Sequence, residues 1–152
     1  MKKATWWLIS ATVLAVLALS FFLVPQLVTK EATTPMVAVA DRFQPNPGWT
    51  LQDEVITGGP FCIHIDAPCD AMHRTYRTDT VFTEDTLKDL ARKSGFELTT
   101  SGPCSTPGRN DAGRTLCSAT GVVNGFAVEI SVINIAAGRP QLINLSVAKA
   151  AA

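Results

Sequence analysis

The sequence predicts an α+β fold: an N-terminal single transmembrane helix, then one small domain with a single helix packed on an antiparallel sheet of about four to six strands. Three observations predict it. Residues 6–24 read WWLISATVLAVLALSFFLV, without charge, proline or glycine. Residues 83–95 carry helix start and stop signals together. From Phe96 onward, apolar and polar residues alternate in runs separated by turn residues, the period-2 signature of half-buried strands.

The apolar segment has nineteen residues. At ~1.5 Å per residue it spans about 28 Å as a helix, close to the ~30 Å of a bilayer's hydrocarbon core. Its hydroxyl groups, on Ser10, Thr12 and Ser20, can bond back to their own helix. Trp6 and Trp7 suit one interface, and Pro25 marks the other end. Lys2 and Lys3 precede the segment, whereas Lys30 beyond it is offset by Glu31. The positive-inside rule therefore puts residues 1–5 in the cytoplasm and the domain outside, in a single-pass protein of the cell membrane. A cleaved signal peptide is the competing reading. Its cleavage motifs are badly placed: Ala18-Leu19-Ser20 lies inside the apolar run and Ala38-Val39-Ala40 far past it. An uncleaved signal anchor fits better, and both readings give the same side.

Residues 25–48 read as a Thr/Pro-rich tether, with Pro35, Pro45 and Pro47 interrupting long helices. Met36 to Ala40 alternates weakly, as a short strand would. Order is expected to begin near Trp49, giving a domain of residues 49–149. Trp49, beside Leu51 and Val55, reads as a plug at the core or its rim. Gly58-Gly59-Pro60 is a turn. Phe61, Ile63 and Ile65 alternate with Cys62, His64 and Asp66, so 61–66 reads as a strand, with 73–78 as its return. There Arg74 and Tyr76 share one face, Arg77 takes the other, and both arginines read as a solvated edge near Asp66, Asp70 and Asp79.

Thr83 is a good N-cap, and Glu84 and Asp85 fill the electropositive first turn. Phe82 and Leu87 have hydrophobic-staple spacing. Leu87, Leu90 and Ala91 form the apolar stripe, Arg92 and Lys93 suit the C-terminal end, and Gly95 is a natural C′ residue with Phe96 folding back. Strands follow from Phe96, Leu98 and Thr100, and from 116–122. Asn124-Gly125 between two apolar runs predicts a type I′ hairpin. Phe126, Val128, Ile130 and Val132 then share one face, and Ile143, Leu145 and Val147 alternate with Leu142, Asn144 and Ser146. The order is strand, helix, then an antiparallel meander of about four strands. That order of elements looks like the small cystatin-like class, a resemblance that transfers no function.

Function is less legible. The formal net charge is zero. Setting Lys2 and Lys3 aside leaves eleven basic against thirteen acidic side chains, from thirteen of each. That balance excludes a nucleic-acid field or a polybasic membrane patch. Cys62, Cys69, Cys104 and Cys117 lie beyond the membrane segment, in an oxidising compartment, and pair best as Cys62–Cys69 and Cys104–Cys117. The alternative is a Zn²⁺ or Cu site built from Cys62, His64, Cys69 and His73. It lacks the close paired-cysteine spacing of structural zinc sites, and oxidised cysteines cannot ligate as thiolates. No cofactor is expected. There is no Gly-x-Ser-x-Gly elbow, phosphate loop or His-Glu-x-x-His, and His64 and His73 read as ordinary surface histidines. The long loop of residues 101–115, with Arg109, Asn110 and Arg114 near its tip, is the expected recognition surface. The sequence thus points to a membrane-anchored, extracytoplasmic, non-catalytic interaction or sensor module, with an envelope protein or cell-wall component as partner.

Overall fold

The computed structural model describes residues 13, 14, 16, 33–58, 70–102, 104, 113–135 and 140–150 of the chain. Six strands form one sheet: β1 (Thr50–Thr57), β2 (Ala71–Thr78), β3 (Thr99–Ser101), β4 (Thr115–Val123), β5 (Phe126–Asn134) and β6 (Gln141–Lys149). Their spatial order is β1-β2-β6-β5-β4-β3, with every neighbouring pair antiparallel. Helix α1 covers residues 33–40 and α2 covers Glu84–Lys93. The α2 crossover carries the chain from β2 to the far edge. From there β3 to β6 meander back until β6 fills the free side of β2.

The predicted helix signals work as read. Thr83 is extended, and its side chain accepts the Thr86 backbone N–H. At the other end Gly95, at φ 68°, donates to the Arg92 carbonyl and Phe96 donates to the Ala91 carbonyl, a Schellman closure. Phe82 and Leu87 are both buried, as a staple requires. Asn124 and Gly125 take φ of 53° and 82° and join β4 to β5, the positive pair that a type I′ turn needs.

One sheet face is buried, and the other carries the exposed and half-buried residues among those described. Val128, Ile130 and Val132 of β5 meet Val147, Leu145 and Ile143 of β6 in register, and all six are buried. They share one core with Leu87, Leu90 and Ala91 of α2. The same core contains Met36, Val39, Ala40 and Phe43.

That last set corrects the sequence reading, which places a short strand at Met36 to Ala40, a tether up to residue 48 and the start of order near Trp49. Residues 33–40 are helical, and Met36 is fully buried. The chain after α1 is tied down as well. Arg42 donates to the Gly95 carbonyl at 2.8 Å and stacks over Phe96, and the Gln44 N–H donates to Ser94 Oγ. Pro35 lies within the described helical stretch, so it does not break it there. The pairing of β2 is also corrected. Both of its edges are occupied, by β1 and β6, so it is not the return strand of 61–66. Residues 61–66 lie outside the described residues. Trp49 does act as a rim plug, with its ring against those of Phe43, Tyr76 and Phe82.

Most of 6–24 lies outside the described residues. Val13, Leu14 and Val16 are helical, and their apolar side chains are exposed. Among the described residues no helix is long and apolar enough to cross a membrane.

Candidate functional site

The loop expected to recognise a partner leaves β3 and returns into β4. Its base is stapled: Cys104 and Cys117 form a disulfide with Cα atoms 4.8 Å apart. Cys117 is buried on the core face of β4, so the staple is anchored in the packed interior. The returning limb is pinned to β5 beside it. The Gly113 N–H donates to the Asn134 carbonyl at 2.6 Å, and the Asn134 N–H donates to the Arg114 carbonyl at 3.0 Å. Arg114 is exposed at this base. Arg109 and Asn110 lie outside the described residues.

The opposite sheet face is a second surface. Alternation along each strand puts on it a rung Val55, His73, Ser146, Glu129, Thr120 and Thr99, one residue from each of the six strands. The next rung is Asp53, Thr75, Asn144, Ser131, Ser118 and Ser101. Around His73, Ser146, Glu129 and Thr120 the surface dips into an open groove of about 460 Å³, bounded by Thr57, Ala71, Ala127 and Ala148. His73 and Glu129 are two strands apart, so their backbones are separated by roughly 10 Å. Ser146, small and neutral, lies between them on the rung.

Arg74 is the most constrained charge. It projects on the core face of β2, where Nη2 meets Asp41 Oδ1 at 2.5 Å and Nε meets Glu54 Oε2 at 2.6 Å. One guanidinium therefore ties the end of α1 to β1, rather than forming the solvated edge that the sequence suggests. Burial opposes its charge, but the hydrogen bonds and charges of both carboxylates outweigh that and raise its pKa. Burial likewise pushes the Tyr76 phenol up, with Arg74 pulling partly against it. Both shifts follow from packing and pairing at a structural joint.

Of the alternative metal set, His73 is exposed on the open face, and Cys62, His64 and Cys69 lie outside the described residues. Among the described residues no three His, Cys, Asp or Glu side chains are grouped so as to hold a metal ion. Cys104 and Cys117, joined to each other, have no thiolate to offer.

Sequence reasoning missed β1. It also missed the helical spacing of Met36, Val39, Ala40 and Phe43, an i, i+3, i+4, i+7 set that is the signal for α1. Comparison with known proteins finds no matching family model, no matching curated protein and no matching solved structure.

Proposed function

We propose that this chain is a membrane-anchored, extracytoplasmic interaction or sensor module without catalytic activity. The Cys104–Cys117 disulfide carries the reading, because it sits in a chain whose residues 6–24 suit a bilayer-spanning anchor. Disulfides persist in oxidising compartments, which is the side that the positive-inside rule gives to this domain. The helical, apolar and exposed Val13, Leu14 and Val16 suit a segment whose surroundings are lipid. The stapled loop, through Arg109, Asn110 and Arg114, is the proposed contact with an envelope protein or cell-wall component.

Alkaline phosphatase, which needs an oxidising compartment, should be active when fused after Ala152. A fluorescent protein that matures only in the cytoplasm should be dark at the same position. The reverse pattern would refute the topology. Stoichiometric Zn²⁺ or Cu on the purified chain, removed by His64→Ala and His73→Ala, would replace this reading with the metal site.

A further inference from the structure

We infer that the outer edge of β1 receives one extended segment of a partner protein, carrying a basic residue, as a seventh strand of the sheet. The inference goes beyond the anchored-module reading, since this edge is the same whether or not residues 6–24 sit in a membrane.

β1 ends the strand order, and among the described residues β2 is its one paired neighbour. In an antiparallel ladder alternate residues turn both N–H and C=O away from the partner, so an eight-residue edge offers about four such pairs to a new strand. The two edges of this sheet are protected unequally. β3 is three residues long, too short to template a neighbour. β1 has eight residues, with no lysine or proline, and its irregularity falls at Gln52, leaving Asp53 to Thr57 in regular register. Every residue of β1 is exposed, including Leu51 at 51 %, Val55 at 42 % and Ile56 at 45 %. Such side chains beside open backbone groups are what a strand-adding partner covers.

Charge selects the occupant. Asp53 and Glu54 are the charged residues of β1. Glu54 is held by Arg74 on the core face. Asp53 lies on the open face opposite Thr75 and has no ion pair among the described residues. An opposite charge across strands stabilises pairing and a like charge opposes it. A basic residue placed opposite Asp53 completes the rung. A second copy of this chain fits poorly. Two-fold antiparallel pairing sets residues of the same face opposite one another. Its two longest registers therefore juxtapose Asp53 with Asp53, or Glu54 with Glu54.

The test uses the full chain in detergent micelles. The probe is an acetylated octapeptide of alternating threonine and valine with one central lysine, compared with the same peptide bearing glutamate. The lysine peptide should slow amide hydrogen exchange at alternate residues of β1, and should bind about threefold or more tighter than the glutamate peptide. Asp53→Lys should reverse that order. Val55→Asn should weaken both peptides, while Val122→Asn, exposed on β4 across the sheet, should leave them unchanged. No protection of β1 at millimolar peptide, protection elsewhere, or a preference that Asp53→Lys does not reverse would overturn the inference. So would dimers of the full chain without peptide that Val55→Asn dissociates, since the occupant would then be a second copy.

Discussion

A chain shortened to begin at Trp49 is expected to lose its cooperative unfolding transition, whereas one beginning at Thr33 should keep it. The shorter chain lacks Met36, Val39, Ala40 and Phe43, all buried in the core that α2 and the sheet share. Burying a methionine, valine or phenylalanine side chain contributes about 1.5–3 kcal/mol each, so the three larger residues account for roughly 5–9 kcal/mol. A domain's whole stability is about 5–15 kcal/mol. The cut also removes the Arg42 and Gln44 bonds to the end of α2 and leaves Arg74 with Glu54 as its remaining carboxylate. Denaturant titration followed by tryptophan fluorescence would show a sloping, non-cooperative change for the shorter chain. A sharp transition at the midpoint of the longer chain would mean that residues 33–48 are dispensable, and that the burial of Met36 and Phe43 contributes little.

The second large effect is expected at the staple. Cys104→Ser and Cys117→Ser should each destabilise the domain by about 3 kcal/mol, since the bridge closes a loop of the size for which chain entropy predicts that figure. In a domain of about a hundred residues this lowers Tm by roughly 10–20 °C. The double variant should be no worse than the weaker single one, because partners in one bond are not additive. Cys117→Ser should be the more damaging of the two, as it leaves a hydroxyl group in the buried position on β4. Additive losses, or a single variant with wild-type Tm, would show that the bridge does not constrain the loop.

What the sequence made legible follows from where its signals are local. The cap at Thr83, the closure at Gly95 and the Asn124-Gly125 turn each rest on a few adjacent residues, and all three form as read. β5 and β6 were legible because each buries one face and leaves the other open, which writes a period of two into the chain. β1 wrote no such period. Both of its faces are exposed, so nothing selected apolar residues for one of them, and TLQDEVIT shows no alternation. α1 did write its period, but three alternating positions within residues 36–40 imitate a strand, and Pro35 argued against a helix. Only the spacing out to Phe43 decides between them. At the candidate site, the pairing of Cys104 with Cys117 was legible from the polar loop that it closes between two expected strands. The tie between Arg74, Asp41 and Glu54 was not, because the partners lie 33 and 20 residues away and meet only through the fold.

The compartment in which the domain folds is reported most directly by the redox state of Cys104 and Cys117 inside the living cell. Intact cells expressing the full chain are lysed directly into denaturant containing a first maleimide, then reduced and labelled with a second, heavier maleimide for mass spectrometry. Both cysteines should carry the second label alone, as residues joined to each other in an oxidising compartment must. Both carrying the first label would mean reduced thiols in a reducing compartment, and would contradict the extracytoplasmic placement.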